Sequence, residues 1–358
     1  MKILLLCWRD STHPQGGGSE RYLERVAEHL SERGHEVIFR TAASENAPAT
    51  SIRGGVRFRR AGGRLSVYPR AWLAMLAGRC GIGELRGVDV VVDTQNGIPF
   101  FARLCLGAPT VVLTHHCHRE QWPVAGPGLA QLGWFLESIA SPRVYRHARW
   151  VTVSEASAAE LRELGVRDIS VIHNGVDPVP LFDAAPPAPA PRLVTLSRLV
   201  PHKQIEHAIE VADSLGVELD VIGSGWWEEN LRDIAGENVH FHGHVSEETK
   251  HALLDRADVH LMPSRKEGWG LAVVEAAQHG VPTIGYRSSR GLCDSVIDGQ
   301  TGLLVDSPEQ LAAATAELIN DPQRRAALGE AARQRAQRYS WATTGAAFAE
   351  LLERVARA

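Results

Sequence analysis

The feature that most restricts how this chain can fold is a rhythm that runs twice. Short runs of β-branched and leucine side chains alternate with longer stretches in which apolar residues recur every third or fourth position. That alternation predicts parallel strands joined by helical crossovers, an α/β architecture with helices on both faces of each sheet. Strands are expected at residues 3–7, 37–39, 88–92, 110–113 and 150–153. A helix should follow Gly18, carried by Tyr22, Leu23, Val26, Ala27 and Leu30 and ended at Gly34. Ser154 reads as the N-cap of another, running to about Leu164. The rhythm then stops at a stretch holding Pro186, Pro187, Pro189 and Pro191, which fix φ and remove backbone donors. It restarts with strands expected at 193–196, 219–222, 259–262 and 283–285 and a helix from about Lys203.

The expected organisation is therefore an N-terminal Rossmann-like domain over 1–185, a Pro-rich linker over 186–192 and a second Rossmann-like domain over 193–340. A C-terminal helix over 341–358 is placed to cross back to the first domain. A length of 358 residues gives each half enough chain for its own core. Two doubly wound sheets bind ligands outside the carboxyl ends of their strands, which points to a central cleft between the domains.

Composition removes several function classes. With 44% apolar and 22% charged residues the chain is globular, and a net charge of −4 gives no reason to expect nucleic acid. Five cysteines without paired spacing argue against a disulfide framework, so a cytoplasmic setting is expected. The opening apolar run is cut by Arg9 and Asp10, too early for a signal peptide or a membrane span.

Chemistry concentrates at the ends of the expected strands. Arg198 and Lys203 follow the strand at 193–196, where a strand-to-helix turn can aim both at an anion. Pro263 to Leu271 follows another strand and opens a helix, and Gly268 and Gly270 would let backbone amides approach phosphate oxygens. Glu267 and Glu275 would stand about 12 Å apart on a continuous helix, too far for the two carboxyls of a retaining glycosidase. A sugar-to-ribose span suits that distance. None of the fifteen aspartates lies two residues from another, so no Asp-x-Asp metal site is present and Arg/Lys side chains and helix N-termini are left to take that part. The cluster His115, His116, Cys117, His118 cannot close a zinc tetrahedron from one short loop. Gly16-Gly17-Gly18 stands too far after its strand to be the dinucleotide fingerprint, which disfavours a dehydrogenase. Gly223 and Gly225 sit at a strand end where a pyrophosphate could be admitted.

Taken together these residues resemble the retaining GT-B glycosyltransferases of family GT4. Glu267 to Glu275 is similar to that family's E-x7-E signature, Arg198 and Lys203 to its diphosphate-binding pair, and Gly16 to Glu20 to its G-G-x-E loop. Thr114-His115 is similar to its reaction-centre histidine, Val171 to Asp177 to its interdomain N-G-V-D turn, and Gly299 to Val305 to its late D-G-x-x-G strand. Trp269 stands where Phe is usual, and His202 where an acidic or small residue often precedes the lysine.

The resemblance implies a metal-independent retaining hexosyltransferase, using a GDP- or UDP-linked sugar as co-substrate and a hydroxyl acceptor on a glycan, lipid or small molecule. It implies no other cofactor. His115, Arg198, Lys203 and Glu267 would be catalytic; Gly17, Gly18, Gly223, Gly225, Gly268, Trp269, Gly270, Leu271 and Glu275 would hold the donor. A sugar-nucleotide epimerase of the same fold and a noncatalytic nucleotide-sugar binder are the alternatives. Finally, the segment 53–79 carries seven arginines and no acid, beside Trp72, Leu73, Met75 and Leu76. It is the expected place for peripheral contact with an anionic membrane, set against a reading of core residues and solvated arginines.

Overall fold

Ile3 to Leu6 and Val90 to Val92 are fully buried, and the two runs pair in the middle of one sheet. A strand covered on both faces has no solvent side on which polar residues could alternate, which is why these segments read as unbroken apolar runs. The computed structural model describes residues 1–13, 16–119, 122, 126–183 and 190–357. Cα packing separates it into two units, Met1–Gly175 with Trp341–Ala358, and Val176–Ser340. The changeover thus falls after Gly175, ahead of the Pro-rich linker expected at 186–192, of which residues 186–189 lie outside the described residues.

The first unit runs β1 (Lys2–Leu6), α1 (Gly18–Glu32), β2 (Glu36–Thr41), β3 (Thr50–Arg53), β4 (Val56–Arg60), α2 (Val67–Arg79), β5 (Val90–Thr94) and α3 (Ala102–Cys105). It continues with β6 (Thr110–Leu113), α4 (Pro127–Phe135), a π-helical turn (Leu136–Ala140), α5 (Ser141–Val144), β7 (Arg149–Thr152), α6 (Glu155–Glu163) and β8 (Ile169–Val171). The sheet order is β3-β4-β2-β1-β5-β6-β7-β8, with only β3 antiparallel to its neighbour. Ser154 does cap α6, its hydroxyl accepting the Ser157 amide at 3.0 Å.

The arginine-rich segment 53–79 joins two strands to α2, on which Leu73 and Leu76 are 69 and 45% exposed. The arginine-rich segment opens on strands: Arg53 ends β3, and Arg57, Arg59 and Arg60 lie on β4. Their charges are engaged within the unit, Arg53 on Glu24, Arg57 on Glu36, Arg59 on Glu84 and Arg60 on Asp10. The Arg60–Asp10 pair, at 2.6 Å, is buried on both sides. Arginines on both faces of a strand conceal its period of two, so the pattern carried no strand signal.

The second unit runs β9 (Arg192–Leu196), α7 (Ile205–Leu215), β10 (Glu218–Ile222), α8 (Glu228–Ile234), β11 (Val239–Gly243), α9 (Glu247–Asp255) and β12 (Val259–Met262). It closes with α10 (Leu271–Gln278), β13 (Thr283–Tyr286), α11 (Leu292–Ser295), β14 (Gly302–Val305), α12 (Pro308–Asn320) and α13 (Pro322–Ala336). Its sheet is parallel throughout, in the order β11-β10-β9-β12-β13-β14. The order reverses between β9 and β12, and α/β sheets bind their ligands at the carboxyl-end loops of such a switch point.

The last helix, α14 (Trp341–Arg357), belongs to the first unit and packs on α1. Phe348 is fully buried with its ring 6.2 Å from that of Tyr22, and Thr344 donates to the His173 carbonyl at 2.9 Å. Gly345 lets the helices close: a Cβ there would stand 2.4 Å from the His29 ring.

Candidate functional site

Both loops at the switch point of the second unit, after β9 and after β12, carry expected site residues. After β9 the chain is pinned by buried Leu199, whose amide donates to Ser224 at 3.0 Å and whose carbonyl accepts from Trp227 at 3.2 Å. This anchor leaves Arg198 exposed on one side of it. A 3₁₀ turn, Pro201–Lys203, then swings Lys203 towards the loop after β12, and the Arg265 amide ties the loops together by donating to the His202 carbonyl at 2.9 Å. Burial, followed by the Lys203 charge, lowers the His202 pKa to about 4, so this imidazole is neutral near pH 7.

Lys203 and Glu267, separated by sixty-four positions, meet in an ion pair with both side chains largely buried. An ammonium out of water needs such a partner, since leaving either charge alone would cost several kcal/mol, of order 3–5. The continuous helix assumed between Glu267 and Glu275 is corrected. Glu267 lies in the loop, bridged to Arg290, and α10 begins only at Leu271. Gly270, at φ 92°, is the left-handed residue that turns the chain into the helix, a conformation a side chain would strain. The first amides of α10 therefore open beside the Lys203–Glu267 pair, in an arrangement able to receive an anion. Further along the helix Glu275 accepts from Lys250 of α9 at 2.6 Å. Burial pulls the Lys250 ammonium down, but Glu275 and Glu247 outweigh it and leave its pKa above the ordinary range.

Three of the expected donor residues also have a part in the packing of the unit. Trp269 is 1% exposed and edge-on to Tyr339 at 4.8 Å, so it supports the loop from beneath. Gly223 and Gly225 meet the loop after β9 backbone to backbone: a Cβ would stand 1.9 Å from the Ser197 carbonyl oxygen at the first and 2.0 Å from that of Leu199 at the second. Their small size is required by that crossing.

In the first unit the loop after β1 ends at Gly16, Gly17 and Gly18; Pro14 and Gln15 lie outside the described residues. The Gly17 amide already donates to Glu20 at 2.8 Å, and fully buried Glu20 also accepts from Arg9 and Ser19. His115 follows β6, buried, with its ring edge-on to Tyr22 at 5.2 Å. Neither ring nitrogen has a partner among the described residues, and burial lowers its pKa to about 4, which keeps the imidazole neutral.

Sequence reasoning missed Glu137. It is fully buried in the π-helical turn and accepts three hydrogen bonds: from the His118 amide at 2.9 Å, from His118 Nδ1 at 3.1 Å and from Trp122 Nε1 at 2.6 Å. An extra residue in the helical turn rotates this carboxylate inward under the histidine loop. Nothing local announces it, because Glu-x-x-x within a helix is ordinarily solvated. Asp93, also fully buried, accepts from the Phe100 and Ala102 amides and the Tyr145 hydroxyl; burial raises its pKa to about 6, and its saturated bonds make it a fold residue. Among the described residues no group of three His, Cys, Asp or Glu side chains is placed to hold a metal ion.

Residues 182–335 match the model for glycosyl transferases group 1, and residues 16–179 that for glycosyltransferase family 4. A GDP-mannose-dependent α-(1-6)-phosphatidylinositol monomannoside mannosyltransferase of Mycolicibacterium smegmatis is 32% identical over 280 residues, covering 69% of this chain and 70% of that protein. The chain is a family 4 glycosyltransferase. A glycogen synthase of Mycobacterium tuberculosis is 30% identical over 279 residues, covering 65% of this chain and 67% of that protein. Among solved structures, a sucrose-phosphate synthase of Thermosynechococcus elongatus superposes with a TM-score of 0.81 at 20% identity, over 99% of this chain and 98% of that one. Anabaena HepE in complex with UDP and glucose gives 0.75 at 20% identity, over 99% and 100%. The two parallel-sheet α/β units are those of the GT-B glycosyltransferase fold. Among the described residues no helix is long and apolar enough to cross a membrane.

Proposed function

We propose that this glycosyltransferase moves a hexose from a nucleoside diphosphate sugar to an acceptor hydroxyl, with retention at the anomeric carbon and without a metal ion. The observation that carries the reading is the meeting of the loops after β9 and β12, where the strand order reverses. There Lys203, paired with Glu267, stands beside the opening amides of α10, while Arg198 leaves the same loop. As the sugar–phosphate bond breaks, negative charge grows on the departing diphosphate, and prepositioned cations and helix amides stabilise it most in the transition state. Glu267 holds Lys203 until the phosphate arrives and then turns its free oxygen to sugar hydroxyls; Glu275 receives the ribose hydroxyls. Neutral His115, with a ring nitrogen to spare, hydrogen-bonds the hexose. Glu20 and Glu137 are occupied by their own donors and unsuited to attack carbon, which supports departure and attack on one sugar face. The relative named for GDP-mannose makes that donor the first to test, and the acceptor hydroxyl belongs to a lipid, glycan or small molecule.

A thermal-shift panel of GDP-mannose, GDP-glucose, UDP-glucose and UDP-N-acetylglucosamine, run with and without EDTA, tests the proposal. A true donor at 100 times its dissociation constant stabilises by about 2.7 kcal/mol. The expected result is a shift with one base, unchanged by EDTA, and release of that nucleoside diphosphate on adding acceptor, with the donor's anomeric configuration kept in the product. No shift with any member, or turnover restored only by magnesium or manganese, overturns it.

A further inference from the structure

We infer that the first unit docks on an anionic phospholipid bilayer through the outer face of α4 and the π-helical turn after it. Leu129, Leu132, Phe135 and Ile139 are 63, 54, 50 and 40% exposed. Their spacing of three, three and four places them on one face of the helix. The opposite face is fixed. Gly133 lies against Trp122 so closely that a Cβ would stand 2.3 Å from the indole, and that indole donates to buried Glu137. The helix cannot rotate to hide its outer side chains without breaking these contacts.

Charge decides what the face meets. Arg119, Arg143 and Arg146 border it, and among the described residues none pairs with a carboxylate. They line an open depression of about 830 Å³ together with Trp134 and Ser138, and Glu163 is the one acid among its described lining residues. Arg119 rests its guanidinium 5.7 Å from the Trp134 ring, and Arg143 donates to the Ile139 carbonyl at 3.1 Å, so two of the three are held at the rim of the apolar face. An apolar stripe flanked by prepositioned arginines fits the acyl boundary and phosphate layer of a bilayer at once. The arginines of β3 and β4 do not offer this, since they are committed to Glu24, Glu36, Glu84 and Asp10. The inference is independent of donor chemistry: a bilayer contact and a nucleotide-sugar site can be present or absent separately.

The test is cosedimentation of the full chain, without nucleotide, with vesicles of phosphatidylcholine alone or with phosphatidylglycerol. Binding is expected on the anionic vesicles, weakened by high salt, and lost on phosphatidylcholine. Leu132→Ser with Phe135→Ser, and separately Arg143→Ser with Arg146→Ser, should each weaken it about tenfold or more, at roughly five-fold per arginine. Arg57→Ser with Arg59→Ser should leave it unchanged. Hydrogen exchange of the unaltered protein guards against a misfolded variant: amides over 129–140 should slow on anionic vesicles. Absence of binding, full binding by the Leu132/Phe135 variant, or protection confined to another segment such as α2 overturns the inference.

Discussion

The two units reach their candidate chemistry by opposite means. In the second, charged groups are brought together: Lys203 with Glu267, Lys250 with Glu275, each linking elements that are distant in sequence. In the first, the leading candidate is uncharged, since burial outweighs the pull of Glu20 on His115 and leaves it neutral against Tyr22. Where a diphosphate departs, charges must be ready before the reaction, and a carboxylate partner keeps a buried ammonium charged while no substrate is present. Where a neutral sugar is to be held, a desolvated imidazole suffices and attracts no competing anion.

The largest effect expected from this contrast is at Lys203. Lys203→Ala should lower turnover by about 10²-fold or more. It also leaves Glu267 without its cation, so Lys203→Met should destabilise the fold more than Lys203→Met combined with Glu267→Gln. Steady-state kinetics and thermal melts read both effects; equal turnover in Lys203→Ala and the parent would remove the lysine from the mechanism.

His115 should matter less to rate and more to pH. His115→Gln is expected to slow turnover by about ten-fold, the worth of one hydrogen bond to substrate. In the folded protein this imidazole stays neutral to about pH 4, whereas in the unfolded chain it protonates near its ordinary 6.5. Between those values the unfolded state binds more protons, so stability rises with pH and is lost on acidification from 6.5 towards 4. His202, lowered to about 4, and His260, lowered to about 3, act in the same sense. Melting temperature followed over this range should fall less steeply in His115→Gln, and an identical acid limb would show that the group is not buried neutral.

Glu275→Ala should weaken donor binding by about five-fold with little change in the chemical step, because a ribose contact is equally strong before and during reaction. Single-turnover measurements separate the two, and a variant with normal donor affinity but slowed chemistry would move Glu275 to the reacting centre. The smallest effect is expected at Trp269. Packed on Tyr339 beneath the loop, it should accept Phe for less than about 1.5 kcal/mol, with donor affinity unchanged. A marked change in donor preference would place the indole in the pocket after all.

Elements whose instructions are local follow from the order of the amino acids alone. Apolar runs such as Leu4 to Leu6 and Val90 to Val92 specify strands covered on both faces, three-to-four spacing specifies α1, and Ser154 caps α6 with its own hydroxyl. The motif residues Arg198, Lys203, Glu267 and Gly270 could be placed at strand ends because each belongs to a segment with its own period and stop. Which partner each side chain takes was settled by long-range packing. Lys203 finds Glu267, Trp269 turns to Tyr339, Gly223 and Gly225 yield to the loop after β9, and Glu137 rotates under His118. The arginines of β4 likewise look like a free basic patch until Asp10, Glu36 and Glu84 arrive beside them. Period and capping are properties of a few consecutive residues, whereas the burial and pairing of a charge depend on which distant segment desolvates it, and that is settled only when the sheet order is complete.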